Sequence, residues 1–425
     1  MNIQRDIFTK ISPWLGEEKI LIIKGARQVG KTTLLKYIQQ YLQDNSAKTI
    51  YLSADQDRFN PIYSDAKLFI RYIKDQIGDA YGKSLCYVFI DEFQYCPEAG
   101  LFLKNIFDQE KNHMQLIVTG SSSLEITKNA EFLTGRKIEF RMRPLNFREY
   151  IGAKSDQKIN LKWKLGDDIA TLDDFYRIYK AELEYWFREY LNWGGYPEPS
   201  LAADARKREM ILSEIVSTYV KKDIVDFLRI ENISGFNKLI FILAGQVGNL
   251  INKSELGRTI GLDAKTLVKY LDILAGTFVF NFLRPYFVNN RKSITKKEKV
   301  YIEDFGFAKT ILSKGSFEEY DLLSGALVEN FIHNELMERL SSSDNLYYHQ
   351  NLSGSEIDFI LKYENKILAI ESKFQNNTAR QPVVMKNFSN ENKLVVDNLV
   401  LTKNDLLKKE HCWFIPVVLL PFVEL

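Results

Sequence analysis

The eight residues GARQVGKT, from Gly25 to Thr32, decide the fold of the first part of this 425-residue chain. They match the spacing G-x-x-x-x-G-K-[ST]; the apolar run KILIIK precedes them, and a helical pattern begins at Thr32. Glycines let the backbone curl so that its N–H groups face a phosphate, and the start of the helix adds a favourable dipole. The sequence therefore predicts a phosphate-binding loop between a strand and a helix.

The residues of this loop and of one later strand predict a site for ATP and Mg²⁺. Lys31 is expected to contact the β- and γ-phosphates, and the Thr32 hydroxyl to ligate Mg²⁺. The run LCYVFIDE (85–92) is an apolar strand ending in two carboxylates, the Walker B pattern: Asp91 is expected to hold Mg²⁺ and Glu92 to polarise the attacking water. The predicted nucleotide contacts are Gly25, Ala26, Arg27, Gln28, Val29, Gly30, Lys31, Thr32 and Thr33.

Short apolar runs alternate with amphipathic segments through residues 1–150. The apolar runs lie at 49–52, 87–90 and 116–118, and the amphipathic segments include 66–77 and 100–110. This alternation predicts an α/β fold, a P-loop NTPase domain with a parallel sheet covered by helices on both faces.

Two further groups near this domain are candidates for sensing or stabilising the γ-phosphate. The strand LIVTGSSS (116–123) ends in a polar cluster in which Ser121 or Ser122 would contact the phosphate, although the serines serve equally well as a turn. Arg136 is the first candidate for an arginine finger, and Arg141 and Arg143 are the others.

The order GARQVGKTT, FIDEFQ, VTGSSS, LTGR and RPLNFREY resembles a prokaryotic family of AAA-type P-loop ATPases with a C-terminal region of uncharacterised function. The resemblance continues through GGYPE (194–198) and YVKKDI (219–224), whose chemistry cannot be derived from their residues. It implies ATP hydrolysis, and it implies oligomers in which a neighbouring subunit donates the arginine.

Residues 151–235 are interpreted as a helical linker region, with a loop at NWGGYPEPS (192–200), and residues 236–318 as a winged helix-turn-helix. Its second and third helices are expected to be capped by Ser254 and Asp263, and two β-like runs follow. As a DNA reader it would use two sets of side chains; the alternative is a packing module with solvated lysines. The predicted DNA contacts are Lys265, Thr266, Lys269 and Tyr270 on the recognition helix, and Arg291, Lys292, Lys296, Lys297 and Lys299 in the basic loop.

Residues 319–425 carry four polar residues in an order typical of a nuclease. Glu329 lies on a predicted helix, Asp358 in a turn-to-strand segment, and Glu371 and Lys373 on one face of a strand because they are two residues apart. The order resembles the restriction-endonuclease-like core E…D…E-x-K, in which Glu329, Asp358 and Glu371 would bind Mg²⁺ and Lys373 would orient water. The alternatives are solvated strand-end charges or an inactive nuclease fold used for binding.

Composition excludes few partners. The net charge of +2, from 57 basic and 55 acidic residues, neither requires nor excludes nucleic acid. The three cysteines do not suggest a disulfide framework, and no apolar run approaches the length of a membrane span, so a cytoplasmic protein without a secretory signal or membrane partner is expected.

Two hypotheses of function follow. In the first, ATP hydrolysis reorients a winged helix and a nuclease-like domain on DNA. In the second, ATP is a conformational switch for protein partners, and the C-terminal domain is an inactive fold used for docking. A homo-oligomer is possible in either case.

Overall fold

A computed structural model describes residues 3–56, 59–121, 133–220, 230–287, 297–313, 324–340, 345–351, 353–363, 366–375, 379–392 and 394–425. The chain divides into two compact units, and each is described by itself. The P-loop unit comprises Gln4–Pro144 with Asp272–Val279. The C-terminal unit comprises Met1–Ile3 with Leu145–Leu271 and Phe280–Leu425.

The helices are numbered in chain order. They are α1 Ile7–Ile11, α2 Lys31–Asp44, α3 Ala66–Ile77, α4 Ala99–Glu110, α5 Phe147–Lys154, α6 Ile169–Trp193, α7 Pro197–Leu201, α8 Ala205–Thr218, α9 Ile233–Gly245, α10 Lys253–Ile260, α11 Ala264–Gly276, α12 Phe305–Ser313, α13 Gly325–Arg339 and α14 Val383–Glu391.

The strands follow the same numbering. They are β1 Ile20–Lys24, β2 Lys48–Ser53, β3 Cys86–Asp91, β4 Met114–Gly120, β5 Lys137–Arg141, β6 Trp163–Lys164, β7 Phe280–Leu283, β8 Lys299–Ile302, β9 Leu346–Gln350, β10 Glu356–Tyr363, β11 Lys366–Lys373, β12 Val395–Thr402, β13 Leu407–Lys409, β14 Cys412–Pro416 and β15 Val423–Glu424.

The P-loop unit contains a parallel sheet in the order β2-β3-β4-β1-β5, which confirms the predicted parallel sheet of the first domain. Ile20 and Ile22 point into a core shared with α3 and α4, and the alternate residues Leu21 and Ile23 are fully buried as well. Both faces are therefore covered, as the apolar strands require. The chain leaves β1 for the far edge of the sheet, and the loop after β1 lies at the carboxyl edge that β3 and β4 share.

The C-terminal unit contains a mixed sheet in the order β13-β14-β12-β11-β10-β9. Its β9, β10 and β11 are antiparallel neighbours, whereas β11, β12 and β14 run parallel. Helix α13 packs its buried residues on one apolar face of the sheet, and α14 packs Met385 and Phe388 on another group of strand residues. Strands β12 to β14 were not predicted from the sequence.

The three helices α9, α10 and α11 precede the antiparallel pair β7 and β8, which is the element order of the predicted winged helix. Asp263 caps α11 as predicted, since its carboxylate accepts from the N–H groups of Lys265 at 2.9 Å and Thr266 at 3.0 Å. The prediction for α10 was wrong: Asn252, not Ser254, is the cap, and its side chain accepts from the N–H of Glu255.

The predicted loop at 192–200 is shorter than expected. Helix α6 continues to Trp193, and Pro197 is the first residue of α7. Proline is suited to this position because the N–H that it lacks would have no partner within the helix. The intervening Gly194 and Gly195 lie against the buried Asp304, whose carboxylate accepts from the N–H of Gly195 at 2.6 Å. Burial raises the pKa of Asp304 to about 6. The two glycines of the GGYPE segment are therefore explained by close packing, Gly194 against the carboxylate of Asp304 and Gly195 against the backbone of Leu145.

Replacing Gly195 by alanine is expected to destabilise the C-terminal unit by about 1–3 kcal/mol or more, because overpacking forces backbone to move. A Cβ at this position would lie 2.1 Å from the carbonyl oxygen of Leu145. The measurement is the urea midpoint of unfolding. Gly325→Ala is the matched control, since a Cβ there meets nothing within 4 Å; an equal loss of stability in both variants would contradict the packing argument.

The three cysteines, Cys86, Cys96 and Cys412, are all free and buried. Within the described residues, no helix combines the length and apolar character that crossing a bilayer requires.

Candidate functional site

The loop between β1 and α2 has the backbone that a phosphate cradle needs. Gly30 has a φ of 98° and Gln28 a φ of 62°, both in the left-handed region that turns successive N–H groups to one side. A Cβ on Gly25 would lie 2.1 Å from the carbonyl oxygen of Met142, so only glycine fits where the loop leaves the sheet. The guanidinium of Arg5 donates to the carbonyl of Val29 at 2.8 Å and supports the loop from outside.

Lys31 is the first residue of α2, and its side chain is buried over the loop. Its ammonium donates to the carbonyl oxygens of Gly25 at 2.9 Å and Ala26 at 2.8 Å. The positive charge therefore lies inside the curve of the loop, at a helix N-terminus that itself favours anions. This is the placement that the sequence predicts for a lysine bound to phosphate.

Asp91, at the end of β3, is the centre of a hydrogen-bond network. Its Oδ2 accepts from the hydroxyls of Thr32 at 2.7 Å and Tyr51 at 2.8 Å, and its Oδ1 accepts from the hydroxyl of Thr119 and from the N–H of Glu92. Burial, followed by the bond to Asp91, raises the pKa of Tyr51. Since the Thr32 hydroxyl and the Asp91 carboxylate are within hydrogen-bond distance, both can face one Mg²⁺, and the residues fit the predicted metal.

Glu92 directly follows Asp91 in a left-handed conformation, with a φ of 53°. Such backbone is costly for a residue other than glycine and is concentrated at functional sites. The side-chain amide of Gln94 donates to Glu92 Oε2 and also to Ser121 Oγ, at 2.9 Å, while its oxygen accepts from the N–H of Ser121 at 3.2 Å. One amide thus fixes the candidate water-activating carboxylate to the end of β4.

The structure does not bring Arg136 to this site within one chain. The carbonyl of Arg136 accepts from the N–H of Ile20 at the start of β1, whereas the phosphate loop follows the end of β1. Its guanidinium binds Asp108 at 2.7 Å. The other candidate fingers lie after or at the end of β5; Arg141 lies over the ring of Phe278, 4.9 Å from its centroid.

Sequence reasoning missed Tyr51, Thr119 and Gln94 and placed the candidate sensor function on Ser121 or Ser122. Thr119 could have been found, because it is the last residue but one of β4, the strand between β1 and β3, and the carboxyl ends of parallel strands share one edge. Gln94 stands two residues after Glu92, but no spacing rule gives it a role. Tyr51 carries no local signal. Ser122 lies outside the described residues.

A second charged site lies in the C-terminal unit, where the structure brings together Glu329, Asp358, Glu371 and Lys373. Lys373 Nζ donates to Glu371 Oε1 at 2.6 Å. The carboxylate of Asp358, which lies inside β10 and not in a turn, accepts from the N–H of Ser372 at 2.8 Å. The predicted i, i+2 pair on β11 and the helix residue Glu329 thus meet in one cluster.

The electrostatics of this cluster are dominated by burial. Burial raises the pKa of Asp358 well above its usual value, and the negative charges of Glu329 and Glu371 add to this effect. Burial also raises the pKa of Glu371, although Lys373 opposes the shift. The hydroxyl of Tyr301 donates to Glu329 Oε1 at 2.6 Å.

Lys299 corrects one prediction: it is not an exposed phosphate contact. It is 3% exposed, and its ammonium forms ion pairs with Glu329 at 2.8 Å and with Glu356. It thereby occupies the cluster that was predicted to hold Mg²⁺. Throughout the described stretches, no group of three or more Asp, Glu, His or Cys residues is placed to hold a metal ion. The residues here therefore do not fit the metal.

Of the predicted DNA contacts, some are exposed and others are buried. Lys265 and Lys269 are exposed on α11, whereas Tyr270 is 4% exposed and packs edge-on against Phe236, so its prediction as a DNA contact was wrong. Lys297 is exposed. The predicted contacts Arg291, Lys292 and Lys296 lie outside the described residues.

Three families match successive parts of the chain. Residues 17–151 match a family described as "AAA domain", residues 184–318 a domain of unknown function (DUF8612), and residues 324–420 a domain of unknown function (DUF4143). The first match covers the five-stranded sheet with its phosphate loop. The second ends before α13, so Lys299 and the other residues of the charged cluster come from two different family regions.

The chain is similar to uncharacterised proteins over nearly its whole length. A protein of Haemophilus influenzae is 27% identical over 365 residues, covering 84% of this chain and 82% of the relative. One of Methanocaldococcus jannaschii is 28% identical over 415 residues, covering 95% and 85%.

Two solved structures show a weak similarity. The ORC1 protein of Aeropyrum pernix in complex with DNA has a TM-score of 0.29 at 13% identity, over 73% of this chain and 91% of that one. AMPPCP-bound DnaA of Aquifex aeolicus has a TM-score of 0.29 at 14% identity, over 64% and 87%. The sheet and the loop agree with the family match for the N-terminal region, which has a P-loop fold and is similar to the AAA domain family. Residues 184–318 and 324–420 are similar to two domains of unknown function.

Proposed function

We propose that the P-loop unit binds ATP with Mg²⁺ and hydrolyses it. The observation that carries this proposal is the 2.7 Å hydrogen bond between Thr32 Oγ1 and Asp91 Oδ2, beside the buried ammonium of Lys31. These three groups place a cation ligand pair and a phosphate contact at one helix N-terminus. Bound Mg²⁺ would neutralise charge on the β- and γ-phosphates.

The remaining steps belong to residues of the chain. Lys31 turns from the loop carbonyls to the phosphate oxygens, and loop N–H groups bind the other oxygens. Glu92 orients a water molecule and accepts its proton, while Gln94 holds the carboxylate of Glu92 in place.

The experiment is the release of phosphate from ATP by the full chain, in Mg²⁺ and in EDTA, with and without duplex DNA. Mg²⁺-dependent release supports the ATPase. Absence of release in Mg²⁺, with and without DNA, from protein that is folded by circular dichroism contradicts it. Stimulation by DNA would support coupling between ATP turnover and DNA.

We also infer that DNA is the macromolecule on which this ATPase acts. Lys265 and Lys269 are both exposed and are four residues apart on α11, so they lie on the same face of that helix. Two cations on one exposed helix face, with exposed Lys297 before β8, suit a phosphate backbone. The other candidate is a protein partner, for which the ATP state would serve as a switch.

Charge reversal of Lys265 and Lys269 together is expected to weaken DNA binding and to reduce the salt slope of the affinity by about one unit per lost phosphate contact. The measurement is fluorescence anisotropy of labelled duplex across a salt series. The control is the double reversal of Lys362 and Lys366, which are exposed on β10 and β11 and change the net charge equally. Equal weakening in both variants would contradict a specific role of the exposed α11 face, and unchanged binding in both would favour protein partners over DNA.

Arg136 can serve hydrolysis only in an assembly. Within its own chain it lies at the edge of the sheet where β1 starts, so we infer that the phosphates it would contact are those of a neighbouring copy. Its side chain is partly exposed beside Asp108 and accessible to such a copy. A homo-oligomer with shared sites is therefore part of the proposal.

The C-terminal cluster has two candidate functions. The first is Mg²⁺-dependent cleavage of phosphodiesters, which the proximity of Asp358, Glu371 and Lys373 supports although the cluster does not fit a metal. In that case Glu371, Asp358 and Glu329 would hold the metal, which would neutralise developing charge, and Lys373 would orient the water. The buried ion pairs of Lys299 favour the alternative, an inactive nuclease fold used as a docking module. We propose the docking module, because a metal would have to displace a lysine that is already paired.

A further inference from the structure

Lys299 is the least expected member of the charged cluster. A lysine that is 3% exposed loses most of its hydration, and this loss is compensated only if carboxylates surround the ammonium. Its Nζ lies 2.8 Å from Glu329 Oε1 and also pairs with Glu356, and the ring of Tyr348 covers it with the centroid 5.8 Å away. Burial alone lowers the pKa of Lys299, but the carboxylates outweigh it and the net shift is upward.

The carboxylates that a metal would need already have donors. Glu329 Oε1 accepts from both Lys299 and the hydroxyl of Tyr301, and Glu371 Oε1 accepts from Lys373. Asp358 Oδ2 accepts from the N–H of Ser372. Two ammonium groups thus stand among four acidic side chains, the fourth being Glu356.

The geometry of these contacts differs from that of a metal site. Mg²⁺ requires about six oxygens at roughly 2.0–2.1 Å in near-octahedral order. An ammonium bonded to the same oxygens excludes a second cation from that position, by contact and by repulsion of like charge. Because it is covalently attached to the chain, Lys299 competes at a high effective concentration that free Mg²⁺ does not match.

Lys299 also comes from outside the domain that carries the E…D…E-x-K order. It is the first residue of β8, in the region that matches the second family, whereas Glu329, Glu356, Asp358 and Glu371 lie in the region that matches the third. The ammonium therefore links β8 to α13 and β10 inside the C-terminal unit.

We propose that Lys299 takes the place of a divalent cation in this cluster, so that the carboxylates hold β8 to the C-terminal sheet and bind no metal. The interaction is an intramolecular ionic joint between the two domains of unknown function. It leaves the P-loop chemistry untouched, so the proposal does not depend on ATP hydrolysis. It does predict that the intact chain lacks metal-dependent nuclease activity.

The test measures Mn²⁺ binding without nucleotide, from the amplitude of the free-Mn²⁺ signal in electron paramagnetic resonance. All proteins carry Asp91→Asn, which removes the carboxylate that would ligate a metal at the P-loop. The chain with Lys299 is expected to bind no Mn²⁺ that depends on Asp358. Lys299→Met is expected to bind one Mn²⁺, with an affinity on the order of 10- to 100-fold above that of any Mn²⁺ binding left in the chain with Lys299. Adding Asp358→Asn should abolish this gain. Lys362→Met, an exposed lysine on β10, is the control and should gain nothing.

Two results would overturn the proposal. The first is Mn²⁺ binding, or Mn²⁺-dependent nicking of DNA, by the chain with Lys299 that disappears in Asp358→Asn. The second is a folded Lys299→Met variant that binds no Mn²⁺. If Lys299→Met fails to fold, the thermal midpoint decides: Mn²⁺ should stabilise the chain with Lys299 and its Asp358→Asn variant equally, and a stabilisation that requires Asp358 contradicts the ionic joint.

Discussion

Lys31→Ala is expected to lower ATP hydrolysis by on the order of 10²- to 10³-fold, the cost of removing one preorganised charge from the transition state. Lys31 is the buried ammonium inside the curve of the phosphate loop, where it contacts the carbonyl oxygens of Gly25 and Ala26. Nucleotide affinity should fall as well, since the same charge faces the phosphates before the reaction. The measurements are phosphate release and the binding of a fluorescent ATP analogue.

Two comparisons make the result specific. Lys67→Ala removes an exposed lysine near the start of α3 and should leave turnover unchanged. Mixing Lys31→Ala chains with Arg136→Ala chains should restore part of the activity if neighbouring copies share sites, because one shared site would then have both residues intact. Normal hydrolysis by folded Lys31→Ala would contradict the assignment of the loop.

Glu92→Gln is expected to keep ATP binding while slowing turnover by on the order of 10²-fold or more, which is typical of the loss of a general base. Glutamine has the shape of glutamate and can still accept the hydrogen bond from Gln94, so the hydrogen bonds that join the loop to β4 should persist. It cannot accept a proton from water. The measurements are the dissociation constant of the ATP analogue, which should stay the same, and the turnover number, which should fall.

The chain provides a closely matched control in Glu98. This exposed residue also has a left-handed backbone, with a φ of 45°, so Glu98→Gln makes the same change in charge and shape on the same kind of backbone. Its turnover should remain normal. Equal turnover in Glu92→Gln and Glu98→Gln would show that the carboxylate of Glu92 does not activate water.

The geometry of the candidate nucleotide site was predictable because its residues are close together in sequence. A loop of eight residues fixes the positions of Lys31 and Thr32 relative to the strand before them. The apolar strand that ends in Asp91 belongs to the same parallel sheet, so Asp91 lies at the same sheet edge. Tyr51 and Gln94 escaped prediction because their roles depend on side-chain directions within the folded sheet. Such directions leave no periodic signal.

The charged cluster could be predicted only in part. Its order Glu329, Asp358, Glu371 and Lys373 was visible, and the fold brings these residues together. Lys299 was assigned to the surface because it ends a lysine-rich run that is typical of a solvated loop. The run itself could not show that its last lysine begins a buried strand, opposite Leu283 of β7.

The shifted cap of α10 has a simpler cause. Asn252 and Ser254 are both good N-cap residues, and the sequence offers both within three positions. The structure uses Asn252 because Ile251, just before it, is buried and fixes where the chain turns into the helix. Boundaries set by packing are therefore harder to predict than the elements themselves.

The three buried thiols make the chain suitable for site-directed labelling. Burial raises the pKa of Cys86 to about 11, that of Cys96 to about 12 and that of Cys412 to about 12. Since only the thiolate reacts with maleimides and iodoacetamides, these cysteines should remain unmodified in the folded protein near neutral pH. A single cysteine introduced at exposed Lys265 would then carry a fluorophore alone, without prior removal of the native thiols.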